Sequence, residues 1–273
     1  MPEREVLYCH CAFTKLIPKA VKRRLLRSLL AAQTPFTPIS DLCALAARQD
    51  PRLARWAKAE SLLIIACHPR AVRALFHSAG AELRAGRVEF LNLRSLKGRG
   101  LARRLGRAPR LSPVQRRAFE KLWRRLERGA RGWMPWFPVM DAERCSQCGR
   151  CLNFCLFGVY SRQPDGKIRV VRPANCKTNC PACARVCPRG AIIFAKHPTA
   201  PINGGAGRSA EPVKVDLAAL VSGDVVGFLR RRGADSGRKS TNASELLDKL
   251  EVPRSLRGSL TTRLRARRAA GPR

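Results

Sequence analysis

The chain has 273 residues, of which 45% are hydrophobic and only 6% are aromatic, and its formal net charge is +35. This length allows two domains with connecting segments, and the absence of any run of about 18 apolar residues excludes a predicted transmembrane helix. The charged start of the chain, Met1–Glu5, lacks the apolar core of an export signal, so a cytoplasmic location is expected. The positive charge predicts an acidic partner protein, a nucleic acid or an anionic surface, unless it only reflects an arginine-rich composition.

Residues 1–93 predict an α/β domain in which a parallel sheet carries helices on both faces. Short apolar runs of buried-strand length predict strands at residues 6–8, 61–66 and 88–93. Apolar residues at helical spacing predict helices at residues 18–32 and 69–79. A further helix is expected to follow residues 37–41 and to run to about residue 58, with a break near Asp50 and Pro51. The alternation of strands and helices is typical of a parallel sheet.

The first domain contains four of the twelve cysteines, at Cys9, Cys11, Cys43 and Cys67. The carboxyl ends of adjacent parallel strands meet at one edge of a sheet, where ligands usually bind. Two of these cysteines follow the first strand, one ends a later strand, and Cys43 can return to the same edge. We therefore predict an iron–sulfur cluster or a zinc ion there, with a thiol redox site or inert buried cysteines as the alternatives. His10 and His68 flank the site and are expected to be hydrogen-bonding neighbours of it.

The same segment, residues 5–80, resembles the N-terminal region of the flavin-bearing A subunit of heterodisulfide reductases. The shared features are Cys-x-Cys after a strand, a later isolated cysteine, and the element Ala66–Arg70 before a helix that ends in Phe76. The glycine-rich flavin-binding turn expected next in that family is absent. Neither flavin binding nor disulfide reduction is therefore carried over to this chain.

Residues 94–138 are predicted to form a basic helical connector. Residues 113–128 read as an amphipathic helix with an apolar side formed by Val114, Phe119, Leu122 and Leu126. The aromatic residues Trp133, Trp136 and Phe137 follow this helix. They are expected to form a docking surface between the two domains or to shield a bound group.

The other eight cysteines form two tight runs. The first run is C-x2-C-x2-C-x3-C, at Cys145, Cys148, Cys151 and Cys155. The second run is C-x3-C-x2-C-x3-C followed by Pro188, at Cys176, Cys180, Cys183 and Cys187. Zinc sites prefer pairs of close ligands separated by longer loops, and disulfides do not fit a reducing compartment. The spacing therefore predicts iron–sulfur clusters.

Residues 139–196 resemble a bacterial-type ferredoxin domain with two [4Fe-4S] clusters, and this resemblance implies an α+β fold. By position, the first cluster would be bound by Cys145, Cys148, Cys151 and Cys187. The second cluster would be bound by Cys155, Cys176, Cys180 and Cys183, so that each run lends its fourth cysteine to the other cluster. Leu156 stands where the family usually has proline, and the second run opens with three intervening residues instead of two. A cluster at the four N-terminal cysteines would be the third in the chain.

We therefore predict an electron-transfer protein with a two-cluster domain at residues 139–199 and a redox partner protein that has an acidic docking surface. One alternative is an electron-feeding subunit of a redox enzyme whose active site lies at the N-terminal cysteines. The other is a nucleic-acid-binding protein with a structural or sensing cluster. No residues with a catalytic pattern are found. Residues 200–273 are expected to form a small, partly ordered and basic helical extension, with helices at residues 216–231 and 243–250.

Overall fold

The structure is a computed structural model that describes residues 4–96, 109–129 and 132–207. All of these residues belong to a single compact unit. No helix within the three described ranges is both long enough and apolar enough to cross a membrane. The helices predicted at residues 216–231 and 243–250, and the basic end of the chain, lie outside the described residues.

A four-stranded parallel sheet forms the centre of the N-terminal part. Its strands are β1 (Glu5–Cys9), β2 (Thr37–Ile39), β3 (Leu62–Ala66) and β4 (Val88–Asn92). They lie in the order β2-β1-β3-β4, and every neighbouring pair is parallel. Apolar runs such as Leu62–Ala66 suit strands that are covered on both faces. The predicted parallel α/β arrangement is confirmed.

Helices cover both faces of this sheet. They are α1 (Lys19–Ala31), α2 (Leu42–Ala47), α3 (Arg52–Ala57), α4 (Pro69–Ser78) and α5 (Pro113–Arg128). On one face, Leu25 of α1 and Trp123 of α5 share a hydrophobic cluster with Tyr8. On the other face, α2, α3 and α4 pack around Leu7 and Ile64. Leu7 and Tyr8 are neighbours in β1 but belong to different hydrophobic clusters, because successive side chains of a strand point to opposite faces of the sheet.

The helix predicted to follow residues 37–41 is present, since Asp41 caps α2 at Leu42, but the sequence did not predict that Thr37–Ile39 forms strand β2. Pro38 argued against a strand at this position, since proline has no N–H to donate to a neighbouring strand. Proline is nevertheless tolerated on edge strands, and β2 lies at the edge of the sheet. The predicted break near Asp50 is confirmed, since α2 ends before it and α3 begins after it.

The amphipathic helix predicted at residues 113–128 is confirmed as α5, but its buried side differs from the prediction. The helix begins at Ser112, which forms a capping box with Gln115. Val114 is 76% exposed, while Trp123 is buried together with Phe119. Helix geometry explains the error, because a residue five positions before Phe119 lies about 140° around the helix from it.

The remaining elements are short and belong to the segment with the two cysteine runs. They are β5 (Val139–Met140), α6 (Arg150–Phe154), β6 (Tyr160–Arg162), β7 (Ile168–Val170), α7 (Ala182–Val186) and β8 (Ile192–Ile193). β5 pairs with β8 in antiparallel fashion, and β6 and β7 pair as an antiparallel hairpin. Val139 and Phe137 belong to the same hydrophobic cluster as Leu7 of the parallel sheet. Phe137 therefore packs between the two halves, as the sequence predicted for the aromatic group.

Candidate metal centres

Four cysteine side chains meet around one cleft in the second half of the described structure. The cysteines that line this cleft are Cys145, Cys148, Cys151 and Cys187. Left-handed backbone at Gln147 and Gly149, with φ of 55° and 79°, turns the chain sharply just before α6. The backbone N–H of Ala191 donates to the Sγ atom of Cys187 at 3.3 Å. The structure thus brings the last cysteine of the second run to the first three of the first run.

The electrostatics of this cleft disfavour free thiolates. Burial raises the pKa of Cys151 to about 11, with further contributions from Cys145, Cys187 and Cys148. The pKa of Cys145 is also raised, mainly by burial and then by Cys187 and Cys148. Each thiolate would repel the others, so the thiols stay protonated unless a positive centre binds between them. Metal ions supply such a centre and deprotonate their thiol ligands.

A second set of cysteines is coupled in the same way. Burial raises the pKa of Cys176 to about 12, with contributions from Cys180 and Cys155. Burial also raises the pKa of Cys183 to about 12, with contributions from Cys176 and Cys155, while the nearby hydroxyl of Tyr160 acts to lower it. Cys155 belongs to the first run in sequence, but its charge acts on two cysteines of the second run. The structure therefore brings together the second set that the resemblance implied, while metal binding by either set stays a prediction.

The extra residue in the second run is accommodated by an unusual backbone conformation. Asn179, directly before Cys180, adopts left-handed backbone with φ of 62°. Asparagine tolerates this conformation better than most residues. The other departure from the family pattern, Leu156, has a side chain that is 92% exposed. Because the side chain of Leu156 is exposed, it does not displace the thiol of Cys155, the residue directly before it.

The spacing of the cysteines bears on the choice between a cluster and a single metal ion. No three His, Cys, Asp or Glu side chains within residues 4–96, 109–129 and 132–207 lie close enough to hold one metal ion. Thiolates on one tetrahedral zinc ion lie about 4 Å apart, given a Zn–S distance of about 2.3 Å. In a four-iron cluster each cysteine binds a different iron atom, so the sulfur atoms lie further apart. The described residues therefore present no preformed three-ligand site for a single zinc ion.

Tyr160 supplies a further indication of a bound group. Its hydroxyl is buried, and among the described residues it has no partner within hydrogen-bond distance. Burial raises the pKa of Tyr160, and Cys183 is the group that contributes most after burial. Buried hydroxyls normally find a partner, because an unpaired one costs about 1–3 kcal/mol. A cluster-bound sulfur of Cys183 would provide the missing acceptor.

Replacing Tyr160 with phenylalanine is expected to lower the reduction potential of the cluster at Cys183 without removing iron. A hydrogen bond to sulfur favours the more negative reduced state, so its loss disfavours reduction. If the bond strengthens by about 1 kcal/mol on reduction, the shift is on the order of 40 mV for one electron. A redox titration followed by EPR measures it, and an unchanged potential would contradict this role for Tyr160.

The four N-terminal cysteines lie at the carboxyl edge of the parallel sheet, as predicted from the strand ends. Cys9 is the last residue of β1, Cys67 follows β3, and Cys43 lies in the first turn of α2. The backbone N–H of Leu42 donates to the Sγ atom of Cys9 at 3.3 Å. Cys11 adopts left-handed backbone with φ of 51°. Such strained conformations are concentrated at functional sites.

These four thiols act on one another, and their residues are buried (Cys9 and Cys43) or half-buried (Cys11 and Cys67). Burial raises the pKa of all four, and that of Cys67 reaches about 12. The charge of Cys11 contributes to the raised pKa of Cys9, Cys43 and Cys67. Lys196, Lys22 and Arg94 act in the opposite direction and lower the pKa of Cys11. The edge therefore holds four close cysteines among cationic side chains.

Two of these cations also join the N-terminal sheet to the cysteine-run segment. Lys196 forms an ion pair with Asp41 at 2.7 Å, and the two side chains are only 3% and 1% exposed. Arg94 donates hydrogen bonds to the carbonyl oxygens of Ala195, His197 and Pro198. Both contacts lie beside the edge cysteines. The edge is therefore covered by the chain that leaves β8.

A third arginine links this edge to the first cleft. Arg70, at the start of α4, donates to the carboxylate of Asp141 at 2.5 Å and to the carbonyl oxygen of Gly190. Asp141 precedes the first cysteine run and Gly190 follows Cys187. Since Arg70 lies three residues after Cys67, the two cysteine sites are held in a fixed relation by one short segment.

Both histidines near the edge are engaged in hydrogen bonds. His10 is completely buried between the hydroxyl of Tyr8 and the carboxylate of Glu127, at 3.0 Å from each. His68 shares a hydrogen bond with Asn92 at 3.0 Å. Burial is the main cause of the lowered pKa of both imidazoles. These contacts agree with the predicted role of hydrogen-bonding neighbours.

The sequence did not identify the supporting residues Arg70, Arg94, Tyr160 and Lys196. For Lys196 a signal existed, because this charged residue directly follows the apolar run Ala191–Ala195. A charge at the end of a buried run indicates a buried partner. For the others, no local pattern separates them from the many basic residues of the chain.

Comparisons with known proteins bear on the second half of the chain. The family of 4Fe-4S dicluster domains matches residues 144–192. An uncharacterized ferredoxin of Methanocaldococcus jannaschii is 43% identical over 63 residues, which are 23% of this chain and 40% of that protein. A second uncharacterized ferredoxin of that organism is 35% identical over 63 residues, which are 22% of this chain and 80% of that protein. No solved structure matches the chain.

The chain thus spans less than half of the first relative, but four fifths of the second. Both relatives are ferredoxins, and the matched family is defined by 4Fe-4S clusters. Clusters of this kind are held by cysteine thiolates and transfer electrons. The chain therefore belongs to the ferredoxins, with a 4Fe-4S dicluster domain at residues 144–192.

Proposed function

We propose that the domain at residues 139–199 holds two [4Fe-4S] clusters and that the protein passes single electrons through them. The ligands of the first cluster are Cys145, Cys148, Cys151 and Cys187. The ligands of the second cluster are Cys155, Cys176, Cys180 and Cys183. The observation that carries this proposal is the position of Cys187 on the cleft lined by three cysteines of the other run.

The chain's own groups suit single-electron transfer. A bound [4Fe-4S] cluster takes up or releases one electron between the 2+ and 1+ states of its core. The N–H of Ala191 lies at 3.3 Å from the Sγ atom of Cys187 and stabilises the added negative charge. Buried apolar side chains, among them Val159, Ile168 and Phe194, exclude water around the cysteines. A dry, preorganised site keeps the reorganisation that accompanies each transfer small.

The partner we propose is a redox protein with an acidic docking surface. Five exposed cationic side chains lie within the cysteine loops, namely Arg144, Arg150, Lys177, Arg185 and Arg189. Exposed apolar side chains lie directly after Cys155, with Leu156 at 92% and Phe157 at 41% exposure. Apolar contact area together with charge of one sign is what a charge-complementary protein partner recognises.

Reduction of the full chain without oxygen tests this proposal. Two EPR signals from reduced [4Fe-4S] clusters are expected after addition of dithionite, and neither should remain when Cys148 and Cys180 are both replaced by alanine. Electron transfer from an acidic ferredoxin should be faster at low than at high ionic strength, because opposite charges steer the encounter. Persistence of either of these two signals, compared with the spectrum of the unmodified chain, would contradict the proposal.

A further inference from the structure

We propose that Cys9, Cys11, Cys43 and Cys67 bind a third iron–sulfur cluster at the carboxyl edge of the parallel sheet. This site lies outside residues 144–192, which the dicluster family matches. It is built from the ends of two strands and the first turn of a helix. Its ligands are separate from those of the dicluster domain, while the iron count expected below rests on the two clusters of the proposed function.

Backbone hydrogen bonds place the four cysteines in one small region. The N–H of His10 donates to Ile39 and that of Ala12 donates to Ser40, both at 2.9 Å, so the segment around Cys11 lies along the chain that leads into α2. Leu42, next to Cys43, donates its N–H to Cys9. The parallel pairing of β1 with β3 brings Cys67 to the same edge. The geometry resembles the cleft at Cys187, where a backbone N–H also donates to a cysteine sulfur.

The charges around the cysteines match a bound cluster. Lys22, Arg94 and Lys196 are the three cations that act on Cys11, and Asp41 is the buried carboxylate among them. Three cations against one carboxylate leave an excess of two positive charges. Four thiolates on an oxidised [4Fe-4S] core carry two negative charges in total. Glu127, which is 34% exposed and bonded to His10, lies further out and reduces this excess by at most one.

Inert cysteines would not account for this arrangement. Neutral thiols need no cations, and a buried cation that lacks a counter-charge costs several kcal/mol. Lys22 illustrates the point. This residue is only 3% exposed, and its ammonium donates to the carbonyl oxygen of Cys11 at 3.0 Å. A cluster on the four cysteines supplies the anionic charge that these side chains face.

A cluster fits this edge better than a zinc ion. A zinc ion with four thiolate ligands would also have a total charge of two negative units, so charge does not distinguish zinc from a cluster. Spacing does, because no three metal-binding side chains in the described part of the chain lie close enough for a single ion. The same holds for the cysteines of the dicluster domain. We therefore assign iron and sulfide to the edge.

The position of this site connects it to the second cluster proposed above. Cys9 and Cys43 belong to the same hydrophobic cluster against which Cys176 packs. Cys43 and Trp136 also line one narrow gap beside Lys196. Where the proposed function holds, an electron can therefore pass between the edge and the dicluster domain through packed protein. The edge cluster would then be the third member of one relay.

Iron analysis of the full chain, purified without oxygen, tests the third cluster. We expect about twelve iron atoms per chain, that is, about four more than two [4Fe-4S] clusters hold. Replacing Cys67 with alanine should remove about four iron atoms and one Mössbauer component, while both dicluster EPR signals remain. The matched control is Cys148→Ala, which should lose about four iron atoms but keep the edge component.

Several outcomes would overturn the third cluster. About eight iron atoms in the unmodified chain would do so, as would one zinc ion per chain that is lost in Cys67→Ala. An unchanged iron content in Cys67→Ala would also count against it. A failure of the proposed function would be seen elsewhere, as an unchanged iron content in Cys148→Ala. The iron count of the unmodified chain needs no variant, so a misfolded Cys67→Ala protein leaves the test decisive.

Discussion

Replacing Cys187 with alanine is expected to remove one whole cluster and to leave the other in place. The thiol of Cys187 lines the cleft formed by the first cysteine run, so its loss should open the first cluster and not the second. A [4Fe-4S] cluster that lacks one of four thiolate ligands is exposed to solvent and oxidation. We expect a loss of about four iron atoms per chain, measured by iron and sulfide analysis without oxygen.

Double variants separate the crossed arrangement from an arrangement in which each run binds its own cluster. If Cys187 and Cys148 bind the same cluster, the variant with both replaced by alanine loses about four iron atoms, as each single variant does. The variant with Cys187 and Cys180 replaced should instead lose about eight. If each run binds its own cluster, the variant at Cys187 and Cys148 should instead lose about eight iron atoms, and the variant at Cys187 and Cys180 about four. The two variants remove the same number of thiols, so each is a control for the other.

The sequence predicted the parallel sheet well because its central strands carry a clear signal. β1 and β3 are short apolar runs followed by helices, and each is buried on both faces. β2 escaped prediction because it is short, lies at an edge and contains Pro38. Its identity depends on pairing with β1, which is a tertiary contact that no local pattern encodes.

The cysteines of the site were predictable, but the groups around them were not. Eight cysteines were predicted as cluster ligands from their spacing, because the loops that wrap a cluster fix the distance between ligands along the chain, and the ferredoxin resemblance implied how they divide between two clusters. The edge cysteines were found through strand ends, which is a topological argument. Tyr160 and Arg94 reach their partners only after folding, and 54 lysines and arginines offer no way to single out one of them in advance.

The two halves of the described structure are joined by cations whose partners come from the other half. Arg70 and Arg94 lie in the N-terminal part and bind backbone carbonyl oxygens near Cys187 and after β8. Lys196 reaches in the opposite direction, to Asp41. A relay between clusters needs fixed distances, and buried charged contacts of defined geometry provide more specificity than apolar packing alone.

Replacing Lys196 with methionine is expected to cause the largest loss of stability among single substitutions outside the cysteines. The ammonium of Lys196 lies 2.9 Å and 2.7 Å from the two oxygens of Asp41, and both side chains are buried. Removal of one partner leaves the carboxylate buried and unpaired, which costs about 3–5 kcal/mol. A drop in melting temperature on the order of 10 °C should follow, measured by circular dichroism without oxygen.

A second variant tests whether the loss of stability comes from the unpaired charge on Asp41 or from the missing contacts of the Lys196 side chain. With Asp41 replaced by asparagine as well, no charge is left unpaired, and the amide oxygen can still accept the N–H of Ala44 at the start of α2. The double variant should therefore melt at a higher temperature than Lys196→Met alone. Arg87→Met, which breaks an exposed ion pair with Glu60, is the control and should cost less than about 1 kcal/mol. A double variant that is less stable than Lys196→Met would show that the buried pair is not what holds the chain after β8 against the edge of the sheet.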